Sequence, residues 1–93
     1  MRTINATNRF RKDFKRELKG RYRDAVEVDL PELIRSLAQD LTLLERYQDH
    51  ALSGVWIDHR DSHVKPDLVL IYRKPNENNL ELVRLGSHSE LGL

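Results

Sequence analysis

The chain of 93 residues carries four histidines, His50, His59, His63 and His88, and all of them fall in its second half. Carboxylates stand beside them at Asp49, Asp58, Asp61 and Asp67. Imidazole is the side chain whose unperturbed pKa lies nearest neutrality, so a fold that gathers several has the parts for acid–base catalysis without a cofactor. From Gly54 to His63, Val55, Ile57, His59, Asp61 and His63 alternate with Trp56, Asp58, Arg60 and Ser62. As a regular strand, this segment would set His59, Asp61 and His63 on a common face. A metal reading competes. His59 and His63 have the four-residue spacing of a zinc-binding helix, but Arg60 stands where such a helix carries its glutamate, and the segment alternates like a strand. No metal and no cofactor are therefore expected. Taken singly, each group also has a plainer role: an exposed histidine is usually surface, Asp61 can pair with Arg60, and Asp67 after Pro66 suits a turn.

The elements that position these groups belong to a small molecule. Ninety-three residues make one domain, residues 1–93, which by surface scaling buries only about 60 to 65% of the surface its unfolded form exposes. A hydrophobic fraction of 39% with 33% charged residues is a soluble globular composition. No apolar run approaches the roughly 18 residues of a membrane span. The first residues lack the apolar region of a signal peptide, and the absence of cysteine excludes disulfides and thiolate metal sites, so a cytoplasmic location is expected. The net charge of +1 conceals an asymmetry. Residues 1–23 hold nine basic side chains against Asp13 and Glu17, whereas the remainder holds seven basic against thirteen acidic. Such a cationic segment suits a phosphate-bearing partner, or is simply a solvated helix face.

Along the chain, Arg2 to Ala6 alternates weakly, as an edge strand would. Thr7 then offers a hydroxyl cap to a helix with Phe10, Phe14 and Leu18 at four-residue spacing, ending near Gly20. Tyr22, Ala25, Val26 and Val28 either prolong this helix or form a connection. Asp29-Leu30-Pro31-Glu32 has the acidic cap and early proline of a second helix, whose stripe is Leu30, Leu33, Ile34, Leu37, Ala38 and Leu41. Residues 41–50 fit neither period and read as a long connection. Pro66 stops or bends the strand that precedes it. Leu68 to Tyr72 is the continuous apolar run of a central strand, and Lys74 to Asn79 is a polar turn into a last strand over Leu80 to Leu85. The order β-α-α-β-β-β makes one α+β layer pair.

Four blocks, Asp49-His50-Ala51-Leu52-Ser53-Gly54-Val55-Trp56, Arg60-Asp61-Ser62-His63-Val64-Lys65-Pro66-Asp67, Leu70-Ile71-Tyr72 and Arg84-Leu85-Gly86-Ser87-His88-Ser89-Glu90-Leu91, resemble the YafQ branch of the RelE/ParE toxin superfamily. The blocks are spread over residues 49–91, so the resemblance at motif level covers about half the chain. The resemblance implies a RelE-like single domain with two N-terminal helices packed on a mainly antiparallel sheet. It implies a type II toxin that enters the ribosomal A site and cuts mRNA without a metal, held inactive by a cognate antitoxin. On the residues of this chain, His50, His63, Asp67 and His88 become the catalytic set, with Asp61, Arg84, Lys65 and Arg60 as RNA-binding or supporting members. In that scheme His88 protonates the leaving oxygen, His50 or His63 accepts the 2′-hydroxyl proton, and Asp67 orients an imidazole. His59 has no counterpart in the catalytic set, and Trp56 is expected as core or as a platform under the site.

The sequence also departs from the family. No aromatic residue follows His88, and Leu68 stands where relatives have tryptophan after the Pro-Asp pair, so base stacking and codon preference do not carry over. The alternative is a non-catalytic toxin of the same fold that inhibits a target such as gyrase by binding. Such a toxin would have no need of the histidine cluster.

Overall fold

Leu68-Val69-Leu70-Ile71-Tyr72 is buried throughout, because it is the first half of β4 (Leu68–Asn76), the middle strand of a five-stranded sheet covered on both faces. The computed structural model, which covers residues 1–93, orders that sheet as β1 (Thr3–Ala6), β5 (Asn79–Gly86), β4, β3 (Arg60–Lys65) and β2 (His50–Ala51). β1 runs parallel to β5, and every other pairing is antiparallel. Two helices, α1 (Asn8–Leu18) and α2 (Leu30–Ala38), cover one face. The other face carries only α3 (His88–Leu91), a single turn. No helix is long and apolar enough to cross a membrane.

The helical face owns the main core. Phe10, Val26, Leu30, Leu33 and Leu37 pack on Val64, Leu68, Leu70, Tyr72, Leu80, Leu82 and Leu85, with Phe14, Leu18 and Ile34 at the margin. Thr7 caps α1 as its sequence predicts: its hydroxyl oxygen accepts the Phe10 N–H at 3.0 Å, and its O–H donates to the Val83 carbonyl at 2.8 Å. The opposite face has a smaller cluster of Val69, Ile71 and Leu91, edged by Leu52, Trp56 and Val83.

Four local expectations are corrected. Asp29 is no cap: its backbone is helical and its side chain bonds no N–H, because a π-helical turn over Ala25–Asp29 runs straight into α2. That wider turn lies just ahead of Pro31, which has no N–H to give to the carbonyl of the preceding turn. Leu41 falls past the end of α2 and is exposed. The strand expected from Gly54 to His63 begins only at Arg60, because Gly54 and Asp58 both take positive φ (67° and 69°) and fold residues 54–58 into turns. His59 therefore leaves the face shared by Asp61 and His63. The observed order is β-α-α-β-β-β-β-α, with the two-residue β2 and the final turn α3 added.

Candidate active site

The sheet register does the gathering. β2 is short, but it sets His50 directly across from Asp61, and one pleat along β3 His63 pairs with Val69, which in turn pairs with Gly86 at the end of β5. His88 follows two residues later at the start of α3. Ser87 fixes that turn with a capping box: its hydroxyl oxygen accepts the Glu90 N–H at 3.1 Å, and Glu90 accepts the Ser87 N–H at 2.9 Å. Gly86 sits close against both neighbours: a Cβ there would lie 3.0 Å from the Arg16 guanidinium and 3.1 Å from the Glu90 carboxylate, and one of those side chains would have to give. Three imidazoles so form a row, with ring centroids 6.2 Å apart for His50 and His63 and 5.1 Å apart for His63 and His88, both pairs edge to face.

Each ring of the row has its own environment. Asp67, in the β3–β4 turn, accepts both the backbone N–H of His88 at 2.9 Å and a contact from its Nδ1 at 2.7 Å. Those two bonds hold the Asp67 carboxyl below the usual carboxylate range. With Nδ1 engaged, Nε2 of His88 is the free nitrogen. Nδ1 of His50 lies 2.9 Å from the Gln48 carbonyl, which can only accept, so the proton sits on Nδ1 and Nε2 carries a lone pair. His63 lies between them and is more deeply buried, and its Nε2 has no hydrogen-bond partner.

Asp61 sits behind the row. Its side chain is 3% exposed, Oδ1 lies 3.0 Å from His50 Nδ1, and Oδ2 lies 3.9 Å from His63 Nε2, yet Oδ1 receives no well-aligned hydrogen bond. Burial pushes its pKa up, opposed by the three histidines. Three basic residues sit in ion pairs. Arg84 is half-buried, with Nε donating to the buried Asp13 at 2.7 Å, and Asp13 also accepts the Leu85 N–H at 3.0 Å. Arg60 forks onto Asp49, and Lys65 Nζ lies 3.2 Å from Asp29. His59 lies outside the row, with Nδ1 near the Ile57 carbonyl and its ring edge-on to Trp56. Trp56 packs in the small cluster and donates to the Leu91 carbonyl at 3.3 Å, beneath the turn that carries His88.

Residues 2–92 match the model of the family described as bacterial toxin of type II toxin-antitoxin system, YafQ. The chain belongs to the YafQ family. It is 37% identical over 91 residues to the mRNA interferase toxin YafQ of Escherichia coli BL21, covering 97% of this chain and 95% of that one. A second YafQ relative, from Haemophilus influenzae, is 44% identical over 63 residues, and the match spans only 62% of its length. Among solved structures, a copper-bound mutant toxin from Helicobacter pylori superposes with a TM-score of 0.88 at 41% identity, covering 98% of this chain and 99% of that one. YafQ in the E. coli DinJ–YafQ complex gives 0.85 at 36% identity, with 98% of each chain covered.

Within this YafQ fold, the residue that the reading of motifs undervalued is Asp49. Its carboxylate accepts hydrogen bonds from the hydroxyls of Ser62 and Tyr72 and from the Arg60 guanidinium, which outweigh a substantial burial effect and hold its pKa below the usual range. Burial and the Asp49 charge push the Tyr72 phenol up. A two-residue strand cannot fix itself, so this carboxylate clamps β2, and with it His50, onto β3 and β4. The signals were a carboxylate directly before a histidine and a hydroxyl ending an apolar run.

Proposed function

We propose that this YafQ-family chain is a ribosome-dependent mRNA interferase acting in the A site, without a metal, through its own imidazoles. The observation that carries the reading is the row His50, His63, His88, backed by Asp61 and Asp67 and open on the sheet face that α1 and α2 leave uncovered. RNA cleavage by its own 2′-hydroxyl is an in-line displacement. The attacking and departing oxygens lie on opposite sides of phosphorus, so base and acid must flank the phosphate.

His50 and His88 flank His63 in that sense. His50 accepts the 2′-hydroxyl proton at Nε2, the nitrogen its Gln48 contact leaves unprotonated. The 2′-oxygen bonds to phosphorus, His63 faces the charge gathering on the phosphorane oxygens, and the bond to the 5′-oxygen breaks as His88 Nε2–H gives that oxygen its proton. A 2′,3′-cyclic phosphate and a free 5′-hydroxyl result. Asp67 keeps the His88 ring turned, with Nε2 facing the departing oxygen. Each positioned acid or base contributes on the order of 10² to 10⁴ in rate.

The cognate antitoxin, the ribosome and mRNA are the partners of this reading, and the cytoplasm is where they meet. E. coli YafQ was solved in complex with DinJ. Here α1 leaves an apolar groove of about 410 Å³, formed by Phe10, Phe14 and Leu18 with Arg11 and Lys15 on its rim, suited to an acidic amphipathic segment of an antitoxin. The test of the nuclease reading is cleavage of mRNA on programmed ribosomes with and without a chelator. Cutting that ignores chelator and is lost in His88→Gln supports it. No cutting by the wild type points to a binding toxin, and chelator-sensitive cutting to a metal enzyme; either overturns it.

A further inference from the structure

Beside His63 lies a cavity of about 350 Å³ that the acid–base scheme leaves unused. Its lining is Arg46, Gln48, His63, Val64, Lys65 and Pro66. Only one of these is apolar, three are basic or can become so, and the acids beside them are Asp29 on Lys65 at 3.2 Å and Asp61, 3.9 Å from His63 Nε2. Arg46 has no carboxylate partner. Its guanidinium lies 4.9 Å over the Tyr47 ring and donates to the Tyr47 hydroxyl at 3.1 Å, so its charge is held in place while remaining available to an anion. Gln48 is exposed, and its backbone is left-handed, φ 46° and ψ 45°. A non-glycine residue held there is strained, and such strain persists where the surroundings over-determine it. Here the strained carbonyl is the one that meets His50 Nδ1.

We propose that this cavity is a nucleotide subsite, in which Arg46 and Lys65 take the phosphate next to the scissile one and the Gln48 amide faces the edge of its base. The assignment rests on the nuclease reading for its place in catalysis, while the binding chemistry stands on the cavity alone. Its volume is at the low end of small-molecule sites, about 300 to 1,000 Å³, which admits one splayed nucleotide and excludes a duplex. Arginine and lysine contacts to phosphate position without reading sequence, whereas a glutamine amide offers a donor and an acceptor that discriminate between base edges. Gln48 thereby couples substrate to chemistry: its side chain meets the base, and its carbonyl sets the tautomer of His50.

Titration of the folded chain with each of the four ribonucleoside 3′-monophosphates, followed by amide NMR, tests the binding directly. Saturable shifts confined to residues 46–48 and 63–65 are expected in the millimolar range. Arg46→Ala should weaken them by about tenfold, the loss of one charge-assisted contact. Gln48→Gly relieves the positive φ and keeps the carbonyl, so it should fold at least as well, yet it should compress the ranking of the four nucleotides by roughly fivefold or more. On programmed ribosomes the same variant should flatten codon preference while His88→Gln abolishes cutting everywhere. Absence of saturable shifts, or shifts unaltered by both variants, overturns the subsite. Shifts behaving as stated beside a wild type that does not cut preserve the subsite and remove the nuclease.

Discussion

Replacing Asp61 by asparagine should make the protein more stable and a worse enzyme. The carboxylate is nearly inaccessible, one of its oxygens receives no hydrogen bond, and His63 Nε2, 3.9 Å from the other, is itself unpartnered. Leaving a buried polar atom unsatisfied costs about 1 to 3 kcal/mol, and more when it is charged. Asparagine has the same shape and removes the charge but keeps an unpaired carbonyl, so only part of that cost is recovered, about 1 kcal/mol. In a domain of this size that raises Tm by roughly 4 to 8 °C.

The pH dependence has a definite sign. Burial raises the folded pKa of Asp61 above its unfolded value near 3.9, against the pull of His50, His63 and His88. The stability this group contributes is therefore fully present below about pH 4 and is lost as pH rises through the folded value. The gain from Asp61→Asn should appear at neutral pH and vanish near pH 4. Thermal melts at the two values check it. Cleavage on programmed ribosomes should fall on the order of 10², because Asp61 Oδ1 lies 3.0 Å from Nδ1 of His50, the ring that takes the 2′-hydroxyl proton. A variant that melts lower at neutral pH, or cuts at the wild-type rate, would refute the account of Asp61 as a destabilising charge retained for chemistry.

Three further perturbations separate structure from chemistry. Asp67→Asn should lower the single-turnover cleavage rate by on the order of 10² with Tm little changed, since it only loses the grip on His88 Nδ1. Asp13→Ala leaves the half-buried Arg84 and the buried Leu85 N–H without their partner and should destabilise by about 2 to 4 kcal/mol in chemical denaturation, with Asp13→Asn as the milder variant if the alanine form does not fold. Burial alone would raise the Asp13 pKa, but hydrogen bonds from Arg84 and the Leu85 N–H, with the charges of Arg84 and Arg16, lower it, so its stabilisation is present above about pH 4 and is lost as pH falls through the folded value. Phe14→Glu puts a charge into the α1 groove and should weaken antitoxin binding by about tenfold or more, measured by calorimetry, while cleavage by the free toxin is retained.

What the sequence shows of this molecule is what local patterning can encode. The Thr7 cap, the Phe10 and Leu33 stripes, the buried run through Tyr72 and the stop at Pro66 each follow from neighbours within a few residues. The strand expected from Gly54 failed for a reason of the same range. Val55 and Ile57 alternate correctly, but they are 91% and 66% exposed, because Gly54 and Asp58 are residue types that readily take positive φ, and they turn the chain before the alternation can be used. The capping box at Ser87 and Glu90, which builds the turn carrying His88, was equally local and could have been read.

The site itself is a long-range object. No spacing within the sequence places His50 against Asp61 or His63 beside His88. Those distances come from strand register, and the register of a two-residue strand is not set by its own alternation. The family resemblance supplied the grouping, and the structure supplies its cause: the Asp49 carboxylate binds groups from β3 and β4, while the Gln48 carbonyl just before it fixes the His50 tautomer. The physics of that arrangement explains why a domain with so thin a core tolerates a left-handed Gln48 and a charged, unsatisfied Asp61 within a few ångströms of each other. Neither belongs to the main core, so their strain is borne locally; relief at Asp61 should stabilise the fold while degrading the reaction, and relief at Gln48 should stabilise it while flattening codon preference.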